Sequence, residues 1–221
     1  MAEALPGPAH AGAEDQLDPS GHPDNPEFVN FPTYRRLRIT ICGHSQLPDD
    51  VGDFDGHHVT TLKHRGARIR HLNDPRSPLY NVWAIPADVV ILFLGGNDVA
   101  DHKEKQVNTI KKEVFKVVDK LKQHVCPQVF FTGLEDREYE NHPRTEFRES
   151  KVLKGYNNIA KALNKRLSEH CQRTNQFRTI RVQGEFLFDR SDDGVHLTPD
   201  GLYQLRYNYR TAVMKYLKEE Q

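Results

Sequence analysis

Three short segments of the chain contain side chains that are suited to catalysis. Ser45 follows a glycine and a histidine, Asn97 follows two glycines, and Asp193 precedes His196 by three residues. A serine hydroxyl becomes a nucleophile when a histidine takes its proton, and an aspartate can orient that histidine. An asparagine amide can donate a hydrogen bond to the oxyanion that forms when a serine attacks a carbonyl. Each of these residues alone also fits a helix cap, a turn or a packing role, and it is their joint occurrence that favours a catalytic site.

Apolar runs that are typical of strands precede two of these segments. Leu37 to Cys42 alternates between apolar and polar residues, and Asp88 to Leu94 is apolar almost throughout, as in a strand that is buried on both faces. Five strands are predicted in all, at residues 37–42, 68–72, 88–94, 128–133 and 177–182. The second of them, which follows Gly66, has the weaker pattern.

Amphipathic helical patterns separate most of these strands. Apolar residues recur at spacings of three and four between Asp101 and His124, between Val152 and Leu167, and between Leu202 and Leu217. Strands that alternate with helices of this length form parallel sheets through right-handed crossovers. The sequence therefore predicts an α/β protein, a three-layer α/β/α sandwich around a parallel, flavodoxin-like sheet of about five strands.

The candidate catalytic residues lie where strands end or where the last helix begins. Ser45 and Asn97 follow two strand ends directly. Thr198 and Pro199 suit the N-cap and the first residue of the final helix, so His196 lies in the loop before it. Because parallel sheets bind ligands at the carboxyl ends of their strands, we expect these side chains to meet at one edge of the sheet.

The same residues resemble a known family. They are similar to the sequence blocks of the SGNH hydrolases, also called GDSL-type esterases and lipases, in Gly43-x-Ser45, Gly95-x-Asn97-Asp98 and Asp193-x-x-His196. The resemblance covers residues 37–217, and the run from Asp193 to Gly201 is its most specific part. Gly66, in front of the predicted second strand, is the best match to the remaining block. The first block departs from the usual Gly-Asp-Ser because His44 replaces the aspartate.

This resemblance implies a role for each matched residue. Ser45 would be the nucleophile, His196 the general base and then the acid, and Asp193 the group that fixes the imidazole tautomer. The backbone N–H groups of Ser45 and Gly66 and the side-chain amide of Asn97 would form the oxyanion hole. The implied activity is that of a serine hydrolase that cleaves carboxylic esters, acyl or acetyl, with a small ester as substrate and no cofactor.

A non-enzymatic binding module is the alternative interpretation. SGNH-like domains also occur in some retroelement-encoded proteins, and a catalytically weak or inactive domain of that kind would engage nucleic acid or another anionic partner. Basic residues do cluster around the first two predicted strands, at Arg35, Arg36, Arg38, Lys63, His64, Arg65, Arg68, Arg70 and His71. The sequence contains no RNA-binding signature, and a solvated surface accounts equally well for these charges.

A metal site is a third possibility that the sequence does not favour. Four potential ligands lie close together, at Asp53, Asp55, His57 and His58. They fall in a predicted loop and lack the spacing that zinc sites use. We therefore predict no metal.

Opposite charges are segregated along the chain. The 221 residues contain 31 Lys and Arg and 31 Asp and Glu, so the formal net charge is zero. Residues 1–34 have six acidic residues, six prolines and no Lys or Arg, which leaves −6 there and +6 on the remainder. Such a stretch buries too little apolar surface to offset its ordering entropy. We predict a disordered acidic leader at 1–34 and an SGNH-hydrolase-like domain at 35–221.

No segment is typical of membrane insertion or secretion. The longest apolar run, Val89 to Leu94, is far shorter than the roughly 18 residues of a membrane span. Residues 1–16 lack a basic region followed by an apolar core. The three cysteines are widely spaced, without the pairs of a zinc site or the density of a disulfide scaffold. We therefore expect an intracellular, cytoplasmic protein with free thiols in a reducing environment.

Overall fold

A parallel sheet of five strands forms the centre of the protein. The computed structural model describes residues 35–47, 54–100, 107–137, 150–181 and 196–220. The predicted leader and Asp193 lie outside these ranges, so both stay predictions. The strands are β1 (Arg38–Gly43), β2 (His58–Lys63), β3 (Val89–Phe93), β4 (Gln128–Thr132) and β5 (Arg178–Ile180).

The strand order places the first strand next to the centre of the sheet. The order is β2-β1-β3-β4-β5, and every neighbouring pair is parallel. This is the flavodoxin-like order that the sequence predicted. The chain passes from β1 to β2 on one side of it and then crosses back to β3 on its other side, so the direction of strand addition reverses at β1. A crevice therefore opens at the carboxyl ends of β1 and β3, directly after Gly43 and Phe93.

Helices cover both faces of the sheet. They are α1 (Gly96–Ala100), α2 (Val107–His124), α3 (Ser150–Thr174) and α4 (Pro199–Glu219), with two 3₁₀ helices at Ile69–Asn73 and Pro78–Trp83. Thr198 caps α4 by accepting a hydrogen bond from the Gly201 N–H at 3.2 Å, as predicted. None of the helices in the described ranges is both long and apolar enough to cross a membrane.

Alternate residues of each strand enter two separate apolar cores. On β3, Val90 and Leu92 contribute to the core that α2 and α3 cover. Val89, Ile91 and Phe93 contribute to the opposite core, which α4 covers. Because a strand sends successive side chains to opposite faces, this division requires a helix layer on each side. The predicted three-layer sandwich is thus confirmed.

The predicted second strand is wrong. Residues 68–72 do not form a strand, and Ile69–Asn73 is a 3₁₀ helix in which Ile69 and Leu72 are buried three residues apart, as the 3₁₀ period requires. The real second strand is His58–Lys63, at the edge of the sheet. Its side chains are only partly buried, so the strand lacks a strong apolar pattern, although Val59, Thr60 and Thr61 are β-branched.

A partly buried carboxylate joins the amino ends of the two central strands. Asp88, directly before β3, accepts hydrogen bonds from the Arg38 backbone N–H at 2.9 Å and from its Nε at 3.1 Å. Arg35 Nη2 also donates to this carboxylate, at 2.9 Å. The backbone N–H of Asp88 in turn donates to the Arg38 carbonyl at 2.8 Å. These contacts fix the register of β1 against β3.

We predict that Asp88→Ala destabilises the fold. The variant leaves the donors of Arg38 unpaired, so the free energy of unfolding in urea should fall by about 1–3 kcal/mol. Hydrogen bonding from Arg38 lowers the pKa of the Asp88 carboxyl below its usual 3.8. The stabilisation is therefore complete above that pH and is lost as the pH falls.

Asp74→Ala is the control for this prediction. Asp74 pairs with Arg76, only two residues away, and joins no two elements of the sheet. Its removal should have the smaller effect, because an exposed local pair stabilises little. Equal losses from the two variants would contradict the anchoring role of Asp88.

Candidate active site

A tight turn after β1 exposes Ser45. The Leu47 N–H donates to the His44 carbonyl at 3.0 Å, and the Leu47 side chain is buried. A Cβ at Gly43 would lie only 3.0 Å from Leu47 Cδ2, so the turn needs glycine at the end of the strand. Burial of Leu47 thus pulls the chain back and leaves the Ser45 side chain exposed at the edge of the sheet.

The final helix brings His196 to this serine. Ser45 Oγ and His196 Nε2 are 3.2 Å apart, although the two residues are 151 positions apart in the sequence. Leu197 is buried directly after the histidine, and the Thr198 cap begins α4 immediately afterwards. This separation is within the range in which a histidine can act as general base toward a hydroxyl. The structure therefore brings together two of the residues predicted from the sequence.

Asn97 and Asp98 tie the carboxyl end of β3 to the loop after β2. Asn97 Nδ2 donates to the Ala67 carbonyl at 3.0 Å. The Asp98 carboxylate, which is 3% exposed, accepts a hydrogen bond from the Ile69 N–H at 3.2 Å. Burial raises the pKa of the Asp98 carboxyl above its usual value. Two consecutive side chains of α1 therefore fix the loop that contains Gly66.

The sequence led to the wrong position for Gly66 in the fold. Because β2 ends at Lys63, Gly66 follows the second strand and lies at the carboxyl edge of the sheet. Its φ of +68° is in the left-handed region, which favours glycine. Gly66 therefore lies on the same edge of the sheet as Ser45 and Asn97. The Asn97 contact with the adjacent Ala67 then connects Gly66 to the end of β3.

A family model matches most of this part of the chain. The model for the GDSL-like lipase/acylhydrolase family matches residues 53–204, which is more than half of the chain. The chain belongs to the GDSL-like lipase/acylhydrolase family. The matched range includes Gly66, Asn97 and His196 and begins after Ser45. The family that the sequence resembled is thereby confirmed.

Solved structures of this superfamily share the fold. A protein from Slackia heliotrinireducens that is assigned to the SGNH hydrolases has a TM-score of 0.62 and 15% identity, covering 81% of this chain and 100% of that chain. A GDSL-like lipase from Bacteroides thetaiotaomicron has a TM-score of 0.56 and 18% identity, covering 81% and 88%. An extracellular lipase from Streptomyces rimosus has a TM-score of 0.55 and 14% identity, covering 80% and 98%. No curated protein matches the chain.

The Gly-His-Ser of this GDSL-like chain replaces a carboxylate with a neutral ring. His44 is only 8% exposed and packs on Phe93 with the ring centroids 4.4 Å apart. Its Nδ1 accepts the Gln46 N–H at 3.4 Å, so the imidazole supplies an acceptor within the serine turn. Burial, followed by the nearby charges of Arg137 and His196, lowers the pKa of His44 to about 3. At neutral pH the ring is therefore uncharged.

We predict that His44 makes the fold sensitive to acid. Its pKa is below the usual 6.5 in the folded state, so the stability it supports is complete above pH 6.5 and is lost as the pH falls toward 3. Between pH 6.5 and about pH 4 the loss should be roughly 3 kcal/mol. Urea unfolding of the wild type and of His44→Asn at both pH values measures it.

The comparison of slopes isolates the contribution of His44. His44→Asn should be less stable than the wild type at neutral pH but should lose less stability on acidification. His58→Gln, at the exposed start of β2, is the control and should retain the wild-type pH dependence. If the unfolding free energy of His44→Asn fell with pH as steeply as that of the wild type, the ring would have to be already charged or solvated in the folded protein.

The basic residues that are neighbours in the sequence do not assemble into one site. Arg35 and Arg38 pair with Asp88 at the amino end of β1, whereas Lys63 ends β2 at the opposite edge. The predicted basic cluster is thus divided between two ends of the sheet. Of the four potential metal ligands, Asp53 lies outside the described ranges, and within those ranges no three His, Cys, Asp or Glu side chains are grouped as metal ligands.

Proposed function

We propose that this protein is a serine hydrolase that cleaves carboxylic esters. The observation that carries the proposal is the 3.2 Å separation of Ser45 Oγ and His196 Nε2 at the carboxyl edge of the sheet. The fold and family are those of acyl hydrolases. The serine is exposed, so an ester carbonyl can reach it from solvent.

The proposed reaction has two acyl-transfer steps. Ser45 Oγ attacks the ester carbonyl while His196 Nε2 accepts the hydroxyl proton, and a tetrahedral oxyanion forms. The intermediate collapses when the C–O bond to the alcohol breaks and His196 returns the proton to that alcohol. Water then attacks the acyl-serine with His196 again as base, which releases the acid and regenerates Ser45. Asp193 would hold the imidazole with its proton on Nδ1.

Three donors are proposed to stabilise the oxyanion. They are the backbone N–H groups of Ser45 and Gly66 and the side-chain amide of Asn97. Asn97 Nδ2 has two hydrogens, and its bond to the Ala67 carbonyl uses one of them. That bond fixes the amide before substrate arrives, as preorganised stabilisation of charge requires. Every step uses groups of the chain, so the proposal includes no cofactor.

We predict that Ser45→Ala abolishes ester hydrolysis. Removing the nucleophile should lower kcat for p-nitrophenyl acetate by at least about 10³-fold, leaving only background catalysis. A panel of short and long p-nitrophenyl esters measures this effect and the accepted acyl length together. Ser168→Ala, on α3, is the matched control and should keep the wild-type rate. Equal rates for wild type and Ser45→Ala would reject the serine mechanism and favour the binding module.

We predict that Asn97→Ala acts mainly on kcat. Loss of one oxyanion donor should lower kcat by about 10²–10³-fold, with a much smaller change in KM, because the donor acts chiefly on the transition state. Asn81→Ala, at an exposed position in the second 3₁₀ helix, is the control. A decrease of less than threefold in a folded Asn97→Ala protein would exclude this role.

A further inference from the structure

Two asparagines of α3 hold the segment that follows β4. Asn164 Oδ1 accepts the Leu134 N–H at 2.8 Å, and its Nδ2 donates to the Leu134 carbonyl at 2.7 Å. Asn157 pairs with Arg137 in the same way, at 2.9 and 3.1 Å. The asparagines are seven residues apart, about two helical turns, so they share a face of α3. Each asparagine amide pairs with both the N–H and the carbonyl of one backbone residue, as a neighbouring β-strand would. These contacts fix the backbone at both ends of residues 134–137.

This arrangement directs the side chain of Arg137 back toward the serine turn. The Arg137 guanidinium lies 4.1 Å from the ring centroid of Tyr156. A Cβ on Gly96 would be 3.2 Å from Arg137 Nη2, so the missing side chain at position 96 makes room for the guanidinium. Arg137 is half-buried, and its guanidinium forms no ion pair with any carboxylate in the described ranges.

A small cavity lies between Arg137 and the catalytic turn. Its lining includes His44 and Gln46, the two neighbours of Ser45, together with Gly96, Arg137 and Tyr156. Its volume of about 20 Å³ holds one water-sized group, so a single oxygen of a bound anion can enter it while the rest of the anionic group lies outside. His44 is neutral at pH 7, so it brings no charge to this wall. Glu135 also lines the cavity, so selectivity for anions must come from the position of the guanidinium rather than from excess positive charge.

We propose that Arg137 binds an anionic group of the ester substrate, a carboxylate or a phosphate. This inference rests on the proposed function and assigns a substrate class to the same site. Within the described ranges the Arg137 guanidinium has no carboxylate partner, so its N–H groups can form charge-assisted hydrogen bonds with an oxyanion of the substrate. Tyr156 lies against the planar group, and a guanidinium is the side chain that best matches the oxygens of carboxylates and phosphates.

Three esters of similar size test this proposal. They are phenyl acetate, which is neutral, phenyl hydrogen succinate, which bears a carboxylate, and 4-acetoxyphenyl phosphate. In Arg137→Gln, kcat/KM for at least one anionic ester relative to phenyl acetate should fall by about tenfold or more, mainly through KM. The ester that loses the most identifies the anion. The same change for all three esters, or none, would overturn the proposal.

Two further variants separate charge from structure. Arg137→Lys keeps the charge and should retain a preference for the anionic ester of at least threefold over Arg137→Gln. Arg181→Gln removes an exposed cation at the end of β5 and should leave all three rates unchanged. If Arg181→Gln lowered kcat/KM for the anionic esters as much as Arg137→Gln does, the preference would come from the overall positive charge of the protein. That result would overturn a specific contact with Arg137.

Direct binding distinguishes a failure of this inference from a failure of the proposed function. Succinate and inorganic phosphate are titrated calorimetrically into Ser45→Ala and into Ser45→Ala/Arg137→Gln, neither of which needs to be active. Binding that weakens about tenfold or more with Arg137→Gln supports the anion site even if no ester is cleaved. Equal binding to the two proteins, or no binding to either, overturns it.

Discussion

Burial of α4 against one face of the sheet is the constraint on which the site depends. Leu205, Tyr209 and Val213 of this helix share an apolar core with β1 and β3. Leu47, in the serine turn, and Leu197, next to the histidine, belong to the same core. One packed cluster therefore includes residues next to Ser45, near the start of the domain, and next to His196, near its end, and holds these two side chains together. Apolar burial, which has no direction of its own, becomes precise here because close packing allows few arrangements.

The same core explains how a histidine can replace the usual aspartate. His44 packs on Phe93, and Phe93 meets Tyr209 edge to face with the ring centroids 6.4 Å apart. This aromatic surrounding keeps the imidazole uncharged, and a neutral imidazole still offers one acceptor nitrogen for the turn. An aspartate in that position would place a negative charge near Arg137, whereas the neutral ring does not. The substitution thus changes the electrostatics beside Ser45 while the turn is kept.

Sequence patterns predicted those elements that have a strong local signal, such as a regular apolar repeat or a helix cap. The strand before Gly43 and the cap at Thr198 have strong local signals, and both are where the sequence placed them. The edge strand β2 was missed because an edge strand is only partly buried and its apolar pattern is weak. Arg137 gave no signal at all. Its position depends on pairing between a loop backbone and Asn157 on α3, and side-chain pairing of that kind leaves no period in the sequence.

We propose above all that Ser45 is a nucleophile activated by His196. The most direct measurement is reaction of the folded protein with a fluorophosphonate probe, followed by mass spectrometry of the peptides. We expect one adduct on Ser45 that is lost in urea and in a folded His196→Ala variant, because the serine needs its base. No adduct on Ser45 in the folded wild-type protein, or equal labelling in His196→Ala, would contradict it.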